Sequence, residues 1–560
     1  MPRRVALLAG LALLWPIAAP AQHHGPMSPA PETEGPIAPL LANLGTYHHK
    51  VSTADARAQQ FFDQGLRLVY AFNHAEAVRA FREAARRDPR LAMAHWGHAY
   101  ALSPNINDPI TPEREKEAYE AVQRAAALRA GATPAERAFI DALATRYSER
   151  YGEDRPAKDA AFVAAMRKVA QQYPDDPDAT TIYAAAIMET MPWRYWREDG
   201  APQPGTEEVI QLLERTFAKH PDHPGAHHLY IHIVEASNAP QRGEPSADKL
   251  ESLMPGAGHL VHMPAHIYIR VGRYRDAAES NVRAIRADED YITQCKAQGI
   301  YPLSYYPHNI HFLWAASMWE GRSEVAIQTG RQVAAKVASH GEIAPWAQPF
   351  LVAQYFALVR FGRWAELVAE PAPDPKLPLV RGVWLYARGV ALANTGRVDD
   401  AAKVLGELRE LLTSLAQDDT PIGNNTLRTV LSVGAPLLAG AIAERRGELD
   451  AAIAQFDRAV RLEDALVYNE PTDWAMPARH ALGAALIGAG RPAEAETVYW
   501  EDLRRNPENG WALHGLARAL DAQKKETQAA QARARFARAW TRADISLTAG
   551  TNEGKENSKR

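Results

Sequence analysis

Residues 65–89 read GLRLVYAFNHAEAVRAFREAARRDP, and their spacing decides the fold. Measured from Gly65, the residues Ala77, Phe81, Ala84 and Pro89 follow at offsets of 12, 16, 19 and 24. The same offsets recur from Gly440 (Ala452, Phe456, Ala459, Asp464), from Gly483 (Ala495, Tyr499, Asp502, Pro507) and, in part, from Gly389 (Ala401, Leu405, Leu408). A second glycine follows each of the last three after seven residues, at Gly396, Gly447 and Gly490. Small residues at fixed places let two antiparallel helices approach closely, an aromatic ring fills the gap, and Pro or Asp stops the second helix. One such hairpin cannot bury its apolar face alone, so neighbours must stack.

This pattern resembles the tetratricopeptide (TPR) repeat, a helix–turn–helix unit of about 34 residues. Degenerate units can be indexed upstream from the glycine between the helices. Gly272 is followed by Ala277, Asn281 and Ala284, Gly321 by Ala326, and Gly362 by Trp364 and Leu367. In the first unit His74 is read as the residue replacing that glycine, hence as structural. Trp96-Gly97 marks a further first helix, followed by an insertion from Ser103 to Thr111. The expected fold is therefore all-α, a TPR-like solenoid. Irregular repeats over 46–370 carry a histidine cluster, and regular repeats fill 371–545. The stretch EPAPDPKLP, Glu370 to Pro378, is the expected break between halves, and 546–560 forms a disordered tail.

At 560 residues the chain exceeds one ordinary globular core. Its net charge of −4 gives no basic field, so nucleic acid is not an expected partner. Residues 1–21 read as a secretory signal: Arg3 and Arg4, an apolar run from Val5 to Ala19, and the small-x-small site Ala19-Pro20-Ala21. The apolar run is too short to span a bilayer and no later segment reads as a span, so a protein of the periplasm or the extracellular space is expected. Cleavage after Ala21 would expose Gln22-His23-His24, and residues 22–45 read as a Pro-rich linker. A single cysteine, Cys295, excludes internal disulfides and Cys-rich metal sites, so any metal site must use His and carboxylates.

Ten of the 20 histidines lie between His220 and His311. His228 and His232 are four apart, His259, His262 and His266 follow i, i+3, i+7, and His308 and His311 are three apart, so each group shares a helix face. The TPR resemblance implies that first helices line a concave groove through repeat positions 2, 5, 9 and 12. With the inter-helix residue at position 15 (Asn238, Gly272 and Gly321), His228 and His262 fall at position 5, and His232 and His266 at 9. Glu235 falls at 12, His308 at 2 and His311 at 5. His228, His232, His262, His266, His308 and His311 are thus the expected metal ligands, facing one groove from three consecutive hairpins. His259 either caps its helix or adds a ligand. His227, His220 and His223 are assigned to other faces or loops, and His480 and His514 to ordinary packing. His98 marks a distant groove edge.

Imidazole suits zinc, copper, nickel and iron, and the export signal makes copper or zinc the expected ion. Three imidazoles with an open position allow hydrolysis through a bound hydroxide, or oxygen chemistry on copper. Glu235, one turn beyond His232, reads as ligand, orienting partner or general base. Absence of an HExxH sequence removes support for a zincin protease. Trp193, Trp196 and Tyr305 read either as a roof over a pocket or as packing between irregular repeats. Arg479 reads either as an anion binder or as a salt bridge at a helix start.

The segments HPGAHHLYIHIVEAS, GAGHLVHMPAHIYIRVGRY and YPHNIHF, with FNHAEAVRAFREAARRDP, resemble a group of exported bacterial TPR proteins, over residues 45 to 540. The resemblance implies fold and export. Two function classes stand: a metal-binding protein or metalloenzyme, and a metal-free scaffold or envelope assembly factor holding a peptide or protein in the groove.

Overall fold

The computed structural model describes residues 36–295, 300–339 and 343–547. The expected signal sequence, the linker before residue 36 and the tail beyond Leu547 lie outside the described residues. The molecule is a TPR-like α-solenoid of stacked helical hairpins. Its two-stranded element, Pro421–Ile422 against Asn425–Thr426, is antiparallel.

The first hairpin shows why the sequence folds this way. Helix Ala56–Tyr70 starts at Asp55, whose carboxylate accepts from the Arg57 and Ala58 amides, and helix His74–Arg87 starts at Asn73, which accepts from Glu76 N. Phe81 is fully buried beneath Gly65 of its own hairpin and Gly97 of the next, and a Cβ at either glycine would strike its ring. Tyr499 lies in the same way under Gly483 and Gly515. The glycine-to-aromatic spacing in the sequence is thus the contact that joins one hairpin to its neighbour.

The glycines between helices are left-handed, from φ +65° at Gly362 to +83° at Gly272. In the first hairpin the left-handed residue is Phe72, φ 55°, seven residues after Gly65. His74 therefore does not occupy the glycine position; it opens the second helix, and a phenylalanine carries the strained backbone.

The superhelix closes on itself. Trp511 Nε1 donates to Met318 O at 3.0 Å, Tyr274 hydroxyl to Pro507 O at 2.9 Å, and the Ser323 amide to Asp544 Oδ1 at 2.7 Å. The C-terminal hairpins thereby pack across the hairpins that begin at Gly258 and Tyr305, and the expected open groove is instead a covered interior. Around Glu370–Pro378 the core is continuous: Leu367, Leu379 and Val383 belong to one apolar cluster reaching from Tyr274 to Ala532. Residues 36–45, the last part of the expected linker, run along the solenoid with Ala38 and Leu44 buried. Leu41 N donates to Gln64 Oε1, and the Arg79 guanidinium to Ile37 O. The run Leu427–Arg445 has the length and hydropathy of a membrane span, and 61 % of its apolar window is buried inside the molecule.

Candidate metal centre

Three first helices carry the imidazoles. Pro224–Val234 presents His228 and His232 one turn apart. The next is interrupted: Gly258–His262 and Pro264–Val271 join through Met263, because Pro264 has no amide to continue the ladder. It carries His259, His262 and His266. Tyr305–Glu320 carries His308 and His311.

These side chains form two sets. His228, His232 and His259 bring one ligand atom each within 4.8 Å of one another, and so do His262, His266 and His308. Across the first set His228 Nε2 and His259 Nε2 are 3.1 Å apart; across the second, His262 Nε2 and His266 Nε2 are 2.8 Å apart. Five of these six histidines are buried, and His308 is half-buried.

The other ring nitrogens are held from behind, which fixes the orientation of each ring. His228 Nδ1 donates to the Tyr70 carbonyl at 2.7 Å. His262 Nδ1 donates to Asn281 Oδ1 at 2.8 Å, and the Asn281 amide nitrogen donates to Ala277 O, which settles which end of the amide faces the ring. His232 Nδ1 lies 2.9 Å from Glu235 Oε1, and His266 Nδ1 lies 2.5 Å from Glu235 Oε2. Each of these four rings therefore turns Nε2 toward its set. His232 Nε2 is buried without a hydrogen-bond partner, as is His259 Nδ1.

Burial and the surrounding imidazoles hold His228, His259, His262 and His308 well below the usual histidine pKa, in the neutral form that ligates metals. His266 differs. Burial opposes its charge, but the Glu235 and Glu470 carboxylates prevail and push its pKa up to about 10. Burial likewise opposes charge on Glu235, yet His266 and His232 hold its pKa below the usual carboxylate value.

Two aromatic residues brace the first set. The Phe72 ring lies 4.4 Å from that of His228, 5.8 Å from His232 and 5.5 Å from His259. The Trp193 ring meets His232 edge-on at 5.4 Å, with Nε1 donating to Asn107 Oδ1. Both have left-handed backbones, φ 55° and 62°, a conformation costing a non-glycine residue about 1–2 kcal/mol. Strain of this kind persists where the surroundings fix the side chain.

A cavity of about 60 Å³ opens in front of the imidazoles, lined by His232, His259, His266, His308, Trp193, Tyr305 and Glu470 among others. Glu470 comes from the C-terminal half. Asn425 of the small β-hairpin holds its loop through the Val467 backbone and Asp473, and Glu470 Oε2 reaches 2.6 Å from His266 Nδ1.

The structure departs from the sequence expectation at several residues. His311 joins neither set: its ring stacks on Trp314 at 4.9 Å and faces a neighbouring cavity, and His259 takes the sixth place. Glu235 has both oxygens on imidazoles, the orienting position among the roles expected for it, and it also lies with His266 and Glu470 in a third group whose ligand atoms come within 4.8 Å of one another. Trp196 donates to the Ile233 carbonyl at 2.7 Å and does not line the cavity, whereas Trp193 and Tyr305 do. Arg479 forms a two-pronged pair with Asp464 in the late repeats. Phe72 and Asn281 enter the site with no local sequence signal, and Glu470, in the segment YNEPTDW before a late repeat, joins them from the C-terminal half. Their relation to it exists only once the hairpins are stacked.

No family model and no curated protein matches the chain. Solved structures with a similar course include human IFIT1 in a dimer with m7Gppp-AAAA (13 % identity, 87 % of this chain and 90 % of that one, TM-score 0.30). They also include yeast Tom70 (11 %, 85 % and 90 %, 0.29) and the P58(IPK) TPR domain (14 %, 84 % and 100 %, 0.23).

Proposed function

We propose that this chain is an exported metalloprotein that binds a transition-metal ion, copper or zinc, on its buried imidazole cluster. The observation that carries the reading is the 2.8 Å approach of His262 Nε2 and His266 Nε2, with both rings locked at Nδ1 by oxygen acceptors. Two nitrogen lone pairs aimed at each other repel unless a cation lies between them. A proton meets that need for one pair, and a metal ion meets it for a whole set. Imidazoles backed by carboxylate and carbonyl acceptors are the arrangement that raises ligand basicity and fixes ring orientation.

A triad of imidazoles would leave a coordination position open toward the cavity, where a small molecule or hydroxide would reach the ion. The reading thus extends to metal-dependent chemistry on a small substrate, with Trp193 and Tyr305 as walls. The residues Arg3, Arg4 and Ala19-Pro20-Ala21 support export.

The test is elemental analysis of the purified chain together with zinc or copper binding by the chelator-stripped protein. Tight binding that raises the melting temperature, lost in His262→Ala/His266→Ala, is expected, because an ion held only by the native state stabilises it. Metal content below about 0.1 per chain, with no thermal shift on adding either ion, would leave the peptide-binding scaffold as the better reading.

A further inference from the structure

We infer that the centre holds two metal ions side by side, one on His228, His232 and His259 and the other on His262, His266 and His308, with a shared oxygen-donor ligand bridging them from the cavity. This rests on the metalloprotein reading above and adds its nuclearity and ligand class.

The positions of the ligand nitrogens separate the sets. Ring centroids within a set approach to 4.9 Å for His228–His232 and His228–His259, 4.7 Å for His262–His266 and 4.8 Å for His262–His308. Contacts between sets, 5.7 Å for His232–His266 and 5.9 Å for His259–His262, are comparable to the third pair within each set, His266–His308 at 5.8 Å and His232–His259 at 6.3 Å, so the division rests on the ligand nitrogens, which lie within 4.8 Å of one another in each triad. Both close nitrogen pairs also fall inside a set. One ion at about 2.0–2.1 Å from each nitrogen cannot reach all six rings in this arrangement, whereas each triad suits an ion with an open position.

Glu235 ties the sets together. Its two oxygens take the Nδ1 of His232 in one set and of His266 in the other, so a single buried carboxylate orients one ligand of each ion and offsets charge on both. Glu470 brings a second carboxylate to the same place. Two neighbouring cations need such negative charge close by.

The cavity supplies the third observation. It touches His232 and His259 of the first set and His266 and His308 of the second. A ligand entering it meets both open positions at once. Paired sites of this kind hold hydroxide, carboxylate or dioxygen between ions.

Zinc titration of the stripped full chain, followed by gel filtration and elemental analysis, tests the inference. Two equivalents per chain are expected, with one retained in His228→Gln/His259→Gln and one in His262→Gln/His308→Gln. Circular dichroism confirms that each variant is folded. X-ray absorption of the zinc-loaded wild-type chain, which needs no variant, is expected to show a metal–metal vector under about 5 Å. One equivalent in the wild type, lost from either variant, would overturn the pair of ions and leave a mononuclear metalloprotein. No bound zinc or copper at all would overturn the metalloprotein reading as well.

Discussion

His262 and Asn281 form a locked pair: the ring Nδ1 meets the amide oxygen at 2.8 Å, and the same amide is pinned through its nitrogen to the Ala277 carbonyl. Asn281 lies on the long helix Tyr274–Cys295 behind the ligands and is fully buried. The second helix of this hairpin thus decides where a nitrogen on the first helix points.

Asn281→Ala is expected to weaken zinc binding about 10- to 100-fold, the usual cost of losing a partner that orients a ligand. Competition with a chromophoric chelator measures it. Unchanged affinity in a folded variant would show that the His262 ring is held by packing against Phe312 alone, from which it lies 4.5 Å.

His311 stands outside both sets, and His259 takes the ligand alternative that the sequence left open for it. His311→Phe is expected to keep the full metal content, because the His311 ring stacks on Trp314 outside both sets. His259→Phe is expected to lose metal from the first set. Elemental analysis of the two variants in parallel decides between them.

Phe72 combines a buried ring with a left-handed backbone. Removing the ring costs roughly 3–5 kcal/mol. Glycine accepts φ 55° freely, whereas alanine keeps the strain, so Phe72→Gly should be the more stable of the two truncations by about 1 kcal/mol. Urea denaturation gives both numbers. The reverse order would mean that the turn relaxes in solution.

A second polar cluster ties residues 47–49 to the solenoid. Asp178 accepts from the hydroxyls of Tyr47 and Tyr70 and pairs with His49 Nδ1 at 2.6 Å and His223 Nε2 at 3.2 Å. Burial opposes charge on His49, but Asp178 raises its pKa to about 9. A histidine with a raised native pKa stabilises fully below its unfolded value, about 6.5, and loses that contribution as pH climbs through 9. Burial also opposes charge on Asp178, yet His49 and His223 hold its pKa well below the usual carboxylate value. Its contribution is therefore present above about pH 4 and lost only in stronger acid. Between pH 6.5 and 9.5 the wild type should lose on the order of 3 kcal/mol that His49→Gln does not lose. Urea midpoints at the two pH values test it, and equal slopes for both proteins would discount the pair.

Arg479→Ala is expected to cost about 1–2 kcal/mol through its two-pronged pair with Asp464 and to leave metal binding unchanged. Glu470→Ala is expected to weaken metal binding, since its carboxylate reaches His266. Thermal melts and zinc competition on both variants separate the roles.

What the sequence determined by itself was local. Helical spacing put His228 with His232 and His262 with His266 on shared faces, since a 3.6-residue turn fixes those neighbours whatever surrounds them. The Gly65–Phe81 offset likewise specified a hairpin and its stacking, because the ring has one place to go. The choice of His259 over His311, the capture of both Glu235 oxygens and the arrival of Glu470 from about 200 residues away were decided only by tertiary structure. Spacing along a helix says which side chains point together. How far each hairpin rotates on its neighbour, and where the superhelix closes, depends on the summed packing of many distant residues.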